Sequence, residues 1–195
     1  TNTSGYQNTA VGRDSLHDNT YGLNNNCLGY RSLRKNTTGS DNVAIGRDSG
    51  YFNTTGSGNI SIGVCNSSGS YAPVFGLGTS NNRIAMGSTA VTNAYVQVAW
   101  TVVSDARDKM NFDNVPHGLE FIKQLNPVAF QFKFTRDSSI PNGPVRYGFK
   151  AQDILALEGE DNAVIIDNDD PDKLRYNGEA LVPVLVNAIK EQQVI

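Results

Sequence analysis

The sequence predicts a mainly β N-terminal half, an intertwined trimeric β-stalk of 17-residue repeats, followed by an α+β domain that ends in a helix. Three observations carry this expectation. Two glycine series step by 17, at Gly5, Gly22, Gly39 and Gly56 and at Gly12, Gly29, Gly46 and Gly63. Between Ser49 and Ser104 the only charged residue is Arg83, whereas the stretch from Asp105 to Ile195 is charged like an ordinary globular domain. From Gly178 onward, Leu181, Leu185 and Ile189 fall at helical spacing, with Val184 and Ala188 beside them.

The first element, residues 1–67, is the repeat array. The same step of 17 places Asn at 2, 19, 36 and 53, Thr at 3, 20, 37 and 54, and Asn again at 8, 25, 42 and 59. An aliphatic residue precedes the second glycine each time: Val11, Leu28, Ile45 and Ile62. Gly and Asn tolerate the left-handed backbone of tight turns, so each unit reads as short extended pieces joined by corners, and helix is excluded. In "NVAIG" and "NISIG", alternation puts Val43 with Ile45, and Ile60 with Ile62, on one face of a strand, opposite the small Ala44 or Ser61. One or two aliphatics per unit return far less on burial than the backbone entropy of ordering 17 residues. The expectation is therefore that several copies wrap a common axis, pool their aliphatics there and pair strands between chains. A single-chain β-solenoid is the alternative. The repeats resemble the trimeric β-structured stalks of phage tail fibres and the head repeats of trimeric autotransporter adhesins. The recurring "GRDS" and "NTT" stretches sit in repeat register, which explains them as turn positions.

Residues 68–103 lose the register. Their β-branched and aromatic residues, punctuated by glycine, suggest further strands in a fibre tip. Tyr71, Phe75, Tyr95 and Trp100 are candidates for a receptor or sugar platform, with burial in a trimer core as the plainer role.

Residues 104–195 form the last domain, opening on "SDARDKMNF". The pattern Ser-Asp-x-Arg-x-Lys resembles the opening of the C-terminal intramolecular chaperone auto-processing domain of phage tailspikes, tail fibres and endosialidases, related to domains in the myelin regulatory factor. Three further stretches extend the resemblance: "GLEFIKQLNPVAFQFK" as a short helix leading into a strand, "YGFKAQDIL", and "LRYNGEALVPVLVNAIKEQ" as a closing helix. The resemblance implies a domain that assembles the preceding fibre as a trimer and then releases itself by cutting the bond before the serine. By position it makes Ser104 the nucleophile, Lys109 its base, Val103-Ser104 the scissile bond, and Asp105 and Arg107 supporting residues. Phe112 stands where the family usually has an aliphatic residue.

The chemistry is sound in principle. A serine hydroxyl becomes nucleophilic when a neutral amine takes its proton. A free lysine amine, with a pKa near 10.4, is almost wholly protonated at neutral pH, so burial or a nearby positive charge must disfavour its charge. Burial at a subunit interface, helped by Arg107, acts in that direction, while Asp105 and Asp108 oppose it unless they point away. Neither a helix nor a strand brings residues five apart together on one face. Either a turn around Ala106 folds Lys109 back on its own serine, or Lys109 reaches the serine of a neighbouring subunit. The competing local reading is that Ser104 caps a helix and Lys109 is solvated.

Within this domain, "VAFQFKF" alternates with Val128, Phe130, Phe132 and Phe134 on one face, predicting a half-buried strand. "IPNGPVRYGF" supplies turn residues before a second strand, "AQDILALEG" a short helix with Ile154, Leu155 and Leu157 inward, and "AVIID" another strand. The acidic run "DNDDPD" lacks the glycine and glutamate of a calcium loop and reads as a solvated turn. The final apolar stripe suits a short bundle with its own copies on a threefold axis. The polar start and the uncapped end at Ile195 suggest a fragment of something longer, with the helix continuing.

Other function classes lack support. The net charge of −3 and the absence of Lys/Arg runs disfavour nucleic acid, and no apolar stretch is long enough for membrane insertion. Cys27 and Cys65 suit small repeat positions, and His17 and His117 stand alone, so neither metal nor cofactor is expected. Residues 49–103 contain no Asp or Glu, which removes the carboxylates a glycosidase needs. The expected partners are two further copies in a homotrimer and a host-surface receptor reached through the fibre. The resemblance implies a place in the virion tail after processing in the host cytoplasm. A non-cleaving structural trimeric adhesin and a receptor-binding tip are the competing functions.

Overall fold

The computed structural model describes residues 2–159 and 163–193. The chain divides into two compact units, Thr1–Tyr95 with Phe132–Gly143, and Val96–Gln131 with Pro144–Ile195.

The first unit is a parallel β-solenoid. Its rungs are β1 (Thr9–Val11), β2 (Asn26–Leu28), β3 (Val43–Ile45), β4 (Ile60–Ile62) and β5 (Ile84–Met86), which pair in chain order. Ala10, Cys27, Ala44 and Ser61 stack at the 17-residue step, and Ala85 continues the column. The strands thus pair between successive repeats of one chain, where the sequence suggests pairing between chains. The order itself, mainly β and then α+β ending in a helix, is the predicted one.

Hydrogen bonding inside the coils accounts for the difference. Asn19, Asn36 and Asn53 are 0% exposed. Each donates its side-chain amide to the carbonyl of the glycine three residues on, at 2.8–2.9 Å, and to the asparagine oxygen one coil earlier, at 2.8–3.2 Å. Asn8, Asn25, Asn42 and Asn59 build a second column, in which the first three side-chain oxygens accept the backbone N–H of the next asparagine at 2.9–3.2 Å and Asn59 Oδ1 accepts that of Arg83 at 2.9 Å. A third runs through Thr3, Thr20 and Thr37, whose hydroxyls donate to the carbonyl of the next coil. Polar ladders of this kind, satisfied from coil to coil, add to what the few aliphatics supply. Among the described residues, Asn53 Oδ1 is the buried side-chain atom without a partner, and it lies where the asparagine column ends.

The two glycine series act differently: Gly12, Gly29, Gly46 and Gly63 take positive φ as expected, whereas Gly5, Gly22, Gly39 and Gly56 do not. A Cβ on Gly22 would overlap the carbonyl oxygen of Gly39 in the next coil, so this series serves close approach. Further left-handed corners fall on Gln7, Asn24 and Asp41, on Asp14, Arg31 and Asp48, and on Leu16 and Leu33. Leu16 and Leu33 are held there by burial against Cys27 and Ala44. Further strands were expected in residues 68–103, but not one that continues this ladder as a fifth rung. Ile84 pairs with Ile60, a step of 24, because the intervening loop carries extra residues; its sequence signal is "RIAMG", matching "NVAIG".

From β2 to β5 the small residue of each rung is buried, Ala10 on β1 is exposed, and the aliphatics beside them are half-buried or exposed. Val11, Leu28, Ile45 and Met86 occupy one outer register of the ladder and are all exposed, Leu28 by 54%.

In the second unit, α1 (Leu119–Gln124), α2 (Ala151–Glu158) and α3 (Leu181–Gln192) enclose a core of Phe121, Ile154, Ile165, Ile166, Leu181 and Val184. Ile166 lies on β8 (Ile166–Asp167), which pairs antiparallel with β9 (Arg175–Tyr176). Leu155 and Leu157 pack against this core, as expected. The stripe on α3 splits: Leu181, Val184 and Ala188 are buried, while Val182, Leu185, Val186 and Ile189 are exposed. The expected end of this helix, at Val194 and Ile195, lies outside the described residues.

The strands β6 (Val128–Lys133) and β7 (Pro141–Gly148) form a separate two-stranded sheet. Val128 and Phe130 are half-buried, but Phe132 and Phe134 are exposed, since a two-stranded ribbon has no second layer. The residues expected as a turn, Pro141 to Pro144, are in β7 itself. Both strands are edges, which tolerate proline, and Gly143 takes φ +82°. In the acidic run, Asp167 and Asp170 accept backbone N–H groups two residues on, and Asp167 also pairs with Arg175 at 2.9 Å.

Candidate functional site

The segment "SDARDK" folds as one 3₁₀ turn, Ala106–Asp108. Asp105 caps it: Oδ1 accepts the Arg107 backbone N–H at 2.9 Å, and Asp108 and Lys109 donate their N–H groups to the carbonyls of Asp105 and Ala106. Short polar side chains cap such turns because they satisfy N–H groups that the turn leaves open. The turn reverses the chain, and Lys109 Nζ donates to Ser104 Oγ at 2.6 Å. Of the two routes open in the sequence, the structure takes the turn around Ala106. Ser104 precedes the turn and does not cap a helix, as the local alternative has it.

Arg107 is engaged by Asp105 rather than directed at Lys109. Its Nε and Nη2 contact the carboxylate at 2.6–3.2 Å. The Arg107 side chain, and then its backbone N–H, hold the Asp105 carboxyl below the usual carboxylate range, and Asp105 raises the guanidinium in turn. The two supporting charges neutralise one another, so neither the help expected from Arg107 nor the opposition expected from Asp105 acts as a free charge.

Ser104, Asp105, Arg107 and Lys109 are exposed, and so are Val103, by 80%, and Phe112. Nothing within the single chain excludes water from this pair. The turn can position a hydroxyl and an amine; it does not desolvate them.

The sequence reading missed the residues that fix the chain after the turn. Asn187 Nδ2 on α3 donates to the carbonyls of Val115 and His117 at 3.1 and 3.3 Å. Glu191 accepts the Leu119 N–H at 2.6 Å, supplying the cap that Gly118 lacks. Glu158 accepts the N–H groups of Val164, Ile165 and Ile166 at 2.6–3.2 Å. The Asn187 and Glu191 bonds reach across 70 to 72 residues, those of Glu158 across 6 to 8, and no local pattern announces them.

The remaining candidates are placed as follows. Tyr71 packs with Tyr51 and Phe52, ring centroids 6.2 and 5.4 Å away, while Tyr95 and Trp100 are exposed. Cys27 is buried, and burial pushes its thiol up to about 12; Cys65 Sγ contacts the Arg47 carbonyl at 3.2 Å. His17 pairs with Asp18, and His117 stacks on Phe121. Among the described residues, no group of His, Cys, Asp and Glu is arranged to hold a metal ion, and no helix is long and apolar enough to cross a membrane.

The chain thus joins a parallel β-solenoid to a small α+β region that opens on a hydrogen-bonded serine and lysine. Residues 104–163 match the family described as chaperone of endosialidase, whose name classes it with peptidases. The match begins at Ser104 and covers the turn, α1, the β6–β7 ribbon and α2. Residues 104–163 are thus similar to that chaperone family. No curated protein and no solved structure matches the chain.

Proposed function

We propose that the chain is the C-terminal part of a phage tail fibre or tailspike whose last domain trimerises, templates the repeat stalk, and then releases itself by cutting between Val103 and Ser104. The observation that carries this is the 2.6 Å contact between Lys109 Nζ and Ser104 Oγ, at the residue where the family match begins.

The reaction runs as one turnover. Neutral Lys109 takes the Ser104 Oγ proton as the oxygen adds to the Val103 carbonyl carbon. The Val103–Ser104 C–N bond breaks, the Ser104 nitrogen receives the proton from Lys109, and Val103 is left as an ester on Oγ. Water then hydrolyses the ester, giving a Val103 carboxylate and a free Ser104 amine. Direct attack by a water activated at the same pair gives the same products; hydroxylamine, which captures an ester, separates the two routes.

Trimerisation is supported by two outward apolar surfaces. One is the ladder of Val11, Leu28, Ile45 and Met86; the other is the face of α3 with Val182, Leu185, Val186 and Ile189. Since each coil completes its own strand pairing, the template has a different task from the one expected. It holds three copies in register so that their ladders meet, at an effective concentration of about millimolar. Loss of the template after cutting leaves the stalk without a way to reassemble, and hence kinetically trapped.

The deciding experiment is intact mass under denaturing conditions for the parent and Ser104→Ala. Two fragments meeting at Val103 and Ser104 in the parent, with one chain in the variant, are expected. One uncut chain in both removes the peptidase and leaves the non-cleaving adhesin.

A further inference from the structure

We propose that residues 96–102 form a β-strand between copies of this chain, and that its pairing encloses the Ser104–Lys109 pair. The proposal rests on the assembly and cleavage reading above.

The stretch "VQVAWTV" alternates, with Val96, Val98, Trp100 and Val102 on one face and Gln97, Ala99 and Thr101 on the other. It is as strand-like as any run in the sequence, yet it lies in no strand. The four apolar residues are each 60–75% exposed. Among the described residues, the backbone of 96–103 takes part in no hydrogen bond. A β-branched run with open edges and an apolar face either finds a strand partner or aggregates.

The partner is a second copy. The solenoid rungs are three residues long, too short to pair this stretch, whereas the same stretch on a neighbouring chain matches it in length and pattern. No charged residue lies between Arg83 and Asp105, so copies of the segment meet without repulsion. In a closed symmetric assembly each copy brings its own segment to the same height.

The strand ends one residue before the scissile bond. Pairing would hold the Val103 carbonyl in place and lay apolar side chains of neighbouring copies beside a site that the single chain leaves in water. Cutting would then follow assembly even though Lys109 serves its own chain's serine.

Hydrogen exchange on full-length Ser104→Ala protein, with its mass measured by light scattering, tests the strand. Trimers in which amides 96–103 exchange about 100-fold more slowly than free peptide are expected. Trimers with unprotected amides would overturn the strand and leave the assembly reading standing, with Trp100 open to some other partner. A monomer would overturn both. In a Cys65→Ser background, Ala99→Cys should give covalent dimers on oxidation. In the otherwise unaltered chain, Trp100→Lys should slow cutting about fivefold, the upper effect of like charges brought together across paired strands. Unchanged cutting by a trimeric Trp100→Lys chain would sever the strand from the cleavage, whereas an uncut parent with protected amides would count against the cleavage reading alone.

Discussion

Lys109 Nζ lies 2.6 Å from Ser104 Oγ because a single 3₁₀ turn, capped by Asp105, reverses the chain between them. The contact is made within one chain. Ser104→Ala, Lys109→Ala and Lys109→Arg should each lower cutting by about 1000-fold or more, because paired catalytic groups fail as a unit. Trimers mixed from Ser104→Ala and Lys109→Ala chains should also remain uncut. Fragments in the mixture, seen by mass spectrometry, would move the lysine to a neighbouring subunit.

The Asp105–Arg107 pair holds the turn. Arg107→Ala and Asp105→Asn should slow cutting about 10- to 100-fold through misplacement of Lys109, with assembly unchanged. The sign of the pH effect follows from the lowered carboxyl of Asp105. Its stabilisation of the turn is present above the ordinary carboxylate pKa and is lost only as pH falls through the lowered value. The rate between pH 5 and 8 should therefore carry no inflection that Asp105→Asn removes.

Asn36 donates to Asn19 Oδ1 and Gly39 O and accepts from Asn53 Nδ2. Asn36→Ala leaves buried partners unsatisfied and should cost about 2–4 kcal/mol in urea unfolding. Asn2→Ala, at the exposed end of the same column, should cost much less. Equal losses would mean that the column does not hold the coils.

Ile45 points outward while Ala44, next to it, is buried. Ile45→Asp and Leu28→Asp should lower the oligomer mass by light scattering while the β-signal in circular dichroism persists. Ala44→Asp should instead destroy the coil, since an unpaired charge would be forced inside it.

Burial raises the Cys27 thiol from 9.0 to about 12. Below pH 9 both folded and unfolded chains keep this proton. As pH rises from 9 through about 12 the unfolded chain loses it first, so stability should fall over that window. The loss should be absent in Cys27→Ala, and a thiol reagent at neutral pH should label Cys65 well before Cys27.

The candidate residues in "SDARDK" came from a resemblance, and the turn around Ala106 was one of two routes that their spacing left open; the cap on that turn, Asp105, was not read. Three further features escaped. Asn187 and Glu191 fix the segment after the turn from far along the chain, Glu158 holds residues 164–166, and their sequence neighbourhoods resemble any helix surface. The rung at Ile84–Met86 was hidden by the longer loop before it. The engagement of Arg107 by Asp105 depended on a rotamer, which spacing does not specify.

The sequence by itself determined the period of 17, the opposite faces of Ala44 and Ile45, the change of composition near Ser104, and the helical end. Those follow from patterns local to a few residues, where backbone preference and side-chain alternation act directly. Only the tertiary structure decided that Asn26–Leu28 pairs with Val43–Ile45 of the same chain, that the asparagines lie inside the coil, and that Lys109 returns to its own serine. A repeat fixes which residues can stand in register, and the next repeat of the same chain satisfies that register as well as a neighbouring copy does. The choice between them rests on hydrogen bonds between residues 17 apart, which form only once the chain has turned back on itself.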